Sequence, residues 1–380
     1  MSHAWDRRDF LKAGAFAALP IGAVAHEVVP LPVNQDAKPE HSINFAVIGL
    51  DHNHILSMTA AVQRGGGRLA SVYSTNEKGL AEFRARFGDV PLAHTEDEIL
   101  NDPSIQLVAS AAIPDQRAAL GIRVMHHGKD YLSDKPGMTS LDQLAQVRRA
   151  IKETGKIYGI LYSERLEVKA AVKAGELVKA GAIGKIVQTV NLAPHRVSPA
   201  TRPDWFWDTA RYGGILCDIG SHQAEQFLYY TGSTEAEVTA SQVANANHPR
   251  YPKFEDFGDM MLHGNGGAGY VRVDWFTPDG LDTWGDGRLF ILGTEGYIEL
   301  RKYTDVARQK GGNHLFIVDQ KQARYMDCNN VPLPFGPQFV SDIVNRTHTA
   351  QDQDQALLAA ELVIKAQTNA KRLKFASTAV

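Results

Sequence analysis

The spacing of apolar positions divides the chain in two. Between residues 42 and 163, short apolar runs alternate with segments of helical spacing. The runs are Ile43 to Gly49, Arg68 to Tyr73, Leu107 to Ala111, Asp130 to Ser133 and Ile157 to Tyr162. Between them the pattern predicts helices from near Ile55, over Glu77 to Phe87, Gln116 to His127 and Ser140 to Thr154. In the last of these, Leu141, Leu144, Val147 and Ile151 share one side. Ser140, followed three residues later by Gln143, reads as a capping box. Strands alternating with helices predict a parallel sheet.

The pattern changes after Ser163. One helix is expected from Glu164 to Ala180, stopped at Gly181. Alternating runs follow at Ile186 to Leu192, Glu237 to Ala244, Gly258 to Leu262, Ala268 to Trp275, Leu289 to Leu292 and Tyr297 to Leu300. Alternation without intervening helices predicts an open, mostly antiparallel sheet. A helix from His222 to Tyr230 interrupts it. Two closing helices, Gln338 to Asn345 and Gln355 to Lys371, are free to pack on either half. The fold class is therefore α/β, with residues 42–163 and 164–380 as two domains.

Composition adds little to this and excludes some partners. The 380 residues are 44% hydrophobic, enough for two cores, and the formal charge of −3 gives no footprint for nucleic acid. The N-terminus adds more. Arg7-Arg8 precedes a short apolar stretch and the small-residue site Ala23-Val24-Ala25. That order reads as a twin-arginine (Tat) export signal over residues 1–25, with a linker over 26–41 and a periplasmic mature protein that has no membrane span. Two widely spaced cysteines, Cys217 and Cys328, read as small buried side chains rather than a disulfide framework.

The first strand and helix enclose Gly49-Leu50-Asp51-His52-Asn53-His54. In a doubly wound (Rossmann) fold this turn carries the G-x-G-x-x-G fingerprint of a dinucleotide site. Only Gly49 matches; Asp51 and His54 replace the other two glycines. Asp51 puts negative charge where a pyrophosphate would lie, and a protonated His52 is one way to offset it. Ser74 stands where an acidic residue would hold a ribose hydroxyl. This leans towards NADP over NAD, although no arginine is adjacent in sequence. As a plain alternative, Ser74 simply caps the next helix.

Two stretches have the residues for catalysis. Asp134-Lys135-Pro136 follows a parallel strand, at the edge that lines the ligand crevice. Lys135 reads either as a surface lysine or as a donor to a substrate oxygen. In Gly213 to His222, Asp218 and His222 stand four apart, so a carboxylate can orient an imidazole for proton transfer. The plainer reading is a capping aspartate and a structural histidine. His52, His54, His195, Asp218, His222 and Glu225 are metal-ligand types, but none forms a tight motif, and His52 and His54 share a face only in an extended segment. No metal is expected. Trp205, Trp207 and Tyr212 are available for sugar stacking or for core packing.

Taken in order, Phe45-Ala46-Val47-Ile48-Gly49, Asp134-Lys135-Pro136 (in place of Glu-Lys-Pro), Gly213-Gly214 through Asp218, Gly220 and His222, and the helix from Ala359 to Ala370 resemble the glucose–fructose oxidoreductase/inositol dehydrogenase/MocA (Gfo/Idh/MocA) family. The resemblance covers nearly the whole chain beyond the export signal. It implies an NAD(P)-dependent oxidoreductase of sugars, glycosides or polyols, often a homo-oligomer. Lys135, Asp218 and His222 would be catalytic. The cofactor would meet Gly49, Leu50, Asp51, His52 and His54, then Ser74 and Thr75, then Ile113, Pro114, Asp134 and Lys135. The substrate would meet Lys135, His195, Trp205, Trp207, Asp218 and His222. The altered turn keeps a second expectation open: a redox-neutral or metal-assisted glycoside hydrolase, lyase or epimerase on the same scaffold.

Overall fold

The computed structural model describes residues 39–307 and 310–375, with the two-residue strand β1 (Glu27–Val28). The export segment at residues 1–25 lies outside the described residues, as does most of the linker. Five parallel strands form the first sheet: β2 (Ile43–Leu50), β3 (Gly67–Tyr73), β4 (Leu107–Ala111), β5 (Asp130–Asp134) and β6 (Tyr158–Leu161). Their order is β3-β2-β4-β5-β6. The sequence steps one way from β2 to β3 and the other way to β4. The carboxyl ends of β2 and β4 therefore flank the crevice where such sheets bind ligands. Phe45, Val47, Leu107, Ala109 and Leu132 are fully buried. Each large apolar side chain so buried contributes about 1.5–3 kcal/mol.

The covering helices are α1 (His54–Arg64), α2 (Glu77–Phe87), α3 (Glu96–Leu100), α4 (Pro114–His126) and α5 (Leu141–Thr154). The cap of α5 differs slightly from the expected box. Ser140 Oγ accepts from Gln143 N, but the Gln143 side chain reaches back to Thr139 N rather than to Ser140. Leu144 and Val147 face the core, whereas Leu141 is 43% exposed.

The single helix expected from Glu164 to Ala180 is two, α6 (Ser163–Leu166) and α7 (Lys169–Lys179). Val168 between them is extended, with φ −108° and ψ 113°. Two anchors hold the break. Glu167 pairs with Arg64 of α1 at 2.6 Å, and Val168 is buried in the second core.

A ten-stranded sheet follows. Its strands are β7 (Ile186–Pro194), β8 (Ala236–Ala244), β9 (Phe257–Gly264), β10 (Gly267–Asp274), β11 (Arg288–Gly293), β12 (Tyr297–Arg301), β13 (His314–Val318), β14 (Ala323–Asp327) and β15 (Lys371–Arg372), with β1 at one edge. It is mostly antiparallel, but its central pair β7–β10 is parallel. The helical pieces α8 (Thr209–Tyr212), α9 (Ile215–Asp218) and α10 (Gly220–Thr231) follow one another, and α10 packs on β7 and β10.

The two closing helices tie the halves together. Helix α11 (Phe335–Asn345) packs on α1, and α12 (Gln353–Asn369) packs on α5, α9, α10 and β8. Edge strand β6 is completed by side chains from this end of the chain. Gln353 Oε1 accepts from Tyr158 N at 2.9 Å, and Gln351 Nε2 donates to Ile160 O at 3.0 Å. Such contacts occupy backbone groups that an edge strand would otherwise leave open. Cys217 and Cys328 are free thiols in different hydrophobic clusters.

Candidate active site

A cavity of about 470 Å³ opens where the carboxyl ends of the parallel strands face the second region. Lys135 enters it just beyond β5, and Asp218 enters from the end of α9. The Lys135 ammonium donates to Asp218 Oδ1 at 2.7 Å. Burial pushes the Asp218 carboxyl up, but Lys135 outweighs that and holds it below the ordinary carboxylate range. The turn feeding α9 explains the paired glycines. Gly213 and Gly214 have φ of +89° and +87°, and a Cβ on Gly214 would come within 2.2 Å of the Gln367 side chain.

His222, in the first turn of α10, lines the same cavity and is 2% exposed. Its Nδ1 has no hydrogen-bond partner. Burial, more than anything else, pushes its pKa well down, so the ring is neutral. The expected hold of Asp218 on this imidazole is not present, because the Asp218 contact goes to Lys135.

Glu164 escaped the sequence reading. It lies just past β6, 2% exposed, on the cavity wall. Glu164 Oε2 accepts from Lys302 Nζ at 2.7 Å and from Gln223 Nε2 at 3.0 Å, while Oε1 has no partner. Burial alone would raise its pKa; the Lys302 ammonium reverses this and brings it to about 2. The available signal was positional, a carboxylate at the carboxyl end of a parallel strand.

His195 lines the cavity as expected. Its Nδ1–H donates to Ala193 O at 3.1 Å, and Trp275 and Trp284 flank its ring. Burial lowers its pKa to about 4. Trp205 also lines the cavity. Trp207 does not. It stacks on Tyr251 with ring centroids 3.6 Å apart, inside the cluster of Phe206 and Phe254. Tyr212 joins that core too. Glu225 turns away to pair with Arg165.

The β2–α1 turn is tight. Gly49 has φ +84°, and a Cβ there would meet Ala112 at 2.8 Å. Asp51 N and His52 N both donate to Ala111 O, at 3.1 and 3.0 Å. The Asp51 side chain points to a second cavity of about 360 Å³, lined also by Gly49, Ser74, Thr75 and Arg123. Burial raises the Asp51 pKa, opposed by Arg117 and Arg211. His52 does not serve as a protonated counter-charge. Burial, with His54 beside it, lowers its pKa to about 3.

The two imidazoles go to one acid instead. His52 Nδ1 lies 2.7 Å from Asp134 Oδ2, His54 Nδ1 lies 3.0 Å from Oδ1, and the ring centroids are 4.0 Å apart. They share a face without an extended segment, because the turn places His52 before the helix and His54 at its first residue. Arg117 Nη2 also donates to Asp134 Oδ2, at 3.0 Å.

Of the remaining expected cofactor residues, Pro114 lines the first cavity and Ile113 is the N-cap of α4. Leu50 is buried, and its carbonyl accepts from Asn76 Nδ2. Ser74 does not cap the next helix: Asn76 is the N-cap, its Oδ1 accepting from Gly79 N, while Ser74 Oγ accepts from Asn76 N at 3.0 Å in the preceding turn and Ser74 lines the second cavity. Arg123 reaches that cavity from α4, paired with Glu96. An arginine distant in sequence thus stands beside Ser74.

Two family models match the chain. The oxidoreductase family with an NAD-binding Rossmann fold matches residues 43–162, and the GFO/IDH/MocA C-terminal domain matches residues 171–299. The scyllo-inositol 2-dehydrogenase (NAD(+)) of Bacillus subtilis is 27% identical, over 74% of this chain and 81% of its own length. A crystal structure from Erwinia carotovora atroseptica, an oxidoreductase by assignment only, is 47% identical. It has a TM-score of 0.85 and covers 88% of this chain and 100% of that one. Levoglucosan dehydrogenase, solved with NADH and levoglucosan, shares the fold at 18% identity and a TM-score of 0.69, over 86% of this chain and 98% of its own.

Proposed function

We propose that this chain, which belongs to the Gfo/Idh/MocA oxidoreductase family, transfers hydride between NAD(P) and a hydroxyl or carbonyl carbon of a sugar or polyol. The observation that carries the reading is the first cavity. There Lys135, gripped by Asp218 at 2.7 Å, faces the same space as the neutral, unpartnered His222. The second cavity fits the adenosine end of a dinucleotide. It lies at the carboxyl ends of β2 and β3, its floor has no Cβ at Gly49, and Ser74, Thr75 and Arg123 are its polar contacts. The upward shift at Asp51, with Arg117 and Arg211 facing it, reduces the repulsion that its sequence position suggested.

When bound, the nicotinamide accepts or donates the hydride. The neutral His222 imidazole takes the hydroxyl proton during oxidation. Lys135 donates to the same oxygen and stabilises the charge that builds on it. Asp218 keeps the ammonium in place and accepts from a neighbouring hydroxyl. Trp205, Trp275 and His195 supply flat apolar faces for a sugar ring. We assign these steps to a domain of residues 164–380 working against a nucleotide-binding domain of residues 42–163. Arg7-Arg8 and Ala23-Val24-Ala25 support Tat export of the folded protein.

The test takes protein from the exported fraction, denatures it and assays the supernatant for nicotinamide dinucleotide. It then offers NAD, NADP and a panel of cyclitols and sugars to the native protein. Bound dinucleotide, or reduction of added dinucleotide in step with substrate, is expected. Protein that neither carries nor binds either dinucleotide would sink the reading.

A further inference from the structure

Three ligand-type side chains converge beside, and apart from, the Lys135–Asp218–His222 set. We propose that His52, His54 and Asp134 bind one divalent transition-metal ion of the zinc class on the wall of the first cavity. One donor atom from each lies within 4.8 Å of the others. Two imidazoles and one carboxylate are the donor set that suits zinc, manganese and ferrous iron. This inference does not depend on the redox reading.

The set is held ready. Asp134 is 1% exposed. Behind it, Arg117 donates to Asp134 Oδ2 and, with its other nitrogens, to Ala112 O and Pro136 O at 2.7 and 3.2 Å. A ligating carboxylate is commonly fixed by such an outer partner. His52 and His54 are part exposed and line the cavity, so the ion's open positions would face it. His222 and Glu164 also line the cavity, and each has a buried side-chain atom without a partner, Nδ1 and Oε1 respectively. An ion with open positions beside an acid–base group is the arrangement of a catalytic rather than a closed structural centre.

The sequence points to the same place. Asp134 stands where the family pattern has the longer glutamate, and His54 stands where the fingerprint has glycine. These two departures, 80 positions apart, touch each other. The competing account is a metal-free cluster in which each Nδ1–H donates to Asp134. The Arg117 cation favours that account and weakens any ion, so an exchangeable metal is expected rather than a permanently held one.

The experiment titrates metal-stripped full-length protein with Co²⁺, whose visible absorption reports its ligand field, and then displaces it with Zn²⁺. One equivalent per chain is expected, with Zn²⁺ raising the melting temperature. His52→Ala and His54→Ala should each weaken binding at least about tenfold, while exposed His263→Ala should not. If His54→Ala fails to melt cooperatively, the His52→Ala titration decides. Absence of stoichiometric binding, or binding unchanged in the histidine variants, would overturn the proposal.

Discussion

Asp134 and Lys135 are neighbours in the chain and look in opposite directions. Asp134 turns back into its own domain and gathers His52, His54 and Arg117. Lys135 crosses to the second region and meets Asp218. In the first arrangement the acid is met by two imidazoles and a guanidinium from its own side of the cavity. The second leaves one ammonium with hydrogens to give. The difference separates two parts of the cavity: Lys135, Asp218 and His222 stand where the resemblance leads one to expect them, whereas Asp51, His54 and Asp134 depart from the expected pattern.

If that division is right, the largest effects follow changes on the Lys135 side. Lys135→Ala or His222→Ala should lower kcat by about 10²- to 10⁴-fold, with the fold intact by circular dichroism. Turnover near the wild-type rate in either variant would remove that residue from the mechanism. Next in size, Glu164→Ala should destabilise the protein by about 3–5 kcal/mol in chemical denaturation, because it strands the buried Lys302 ammonium. Glu164→Gln should cost less and show whether the free oxygen binds substrate, read as a rise in KM for the natural substrate but not for an analogue lacking one hydroxyl.

The depressed histidines set a pH window. His195 titrates at about 4 and His52 at about 3, against about 6.5 in an unfolded chain. Between these values the unfolded state binds more protons. Stability should therefore be full above about pH 6.5 and fall as pH drops towards 4, by on the order of 2 kcal/mol per histidine. Denaturant midpoints that stay flat across that range would show the rings are not held neutral. The smallest expected effect belongs to the second cavity. Arg123→Ala should weaken NADP more than NAD, by about 1 kcal/mol, since the guanidinium is already shared with Glu96. Equal losses for both cofactors would take Arg123 away from the 2′-phosphate.

The strands of the first sheet were legible because buried parallel strands are continuous apolar runs with turn residues at both ends. Lys135, Asp218 and His222 were legible as an ordered combination. What was missed has physical causes. Strands β13 and β14 have five residues each, and β14 carries the charged Arg324 and Asp327. The break at Val168 depends on an ion pair to Arg64, 103 positions from Glu167. Glu164 depends on Lys302, 138 positions away. Trp207 was placed in the site because proximity in sequence to Trp205 said nothing of Tyr251. Local pattern carries elements; partners brought together only by topology carry the charge state of each group.

The covering of β6 by Gln351 and Gln353 has a further consequence, for the order in which the protein is made. Tyr158 N waits for a side chain 195 positions later, and Leu216 N waits for Gln367, 151 positions later. A ribosome delivers the whole nucleotide-binding sheet well before the residues that finish its edge. Until Gln367 emerges, the loop carrying Asp218 also lacks its anchor. The nascent chain therefore exposes an unsatisfied sheet edge beside an incomplete site over 195 of its 380 positions, about half of its synthesis. Chaperone protection should be needed most in that interval, and cofactor capture should come after release rather than during translation.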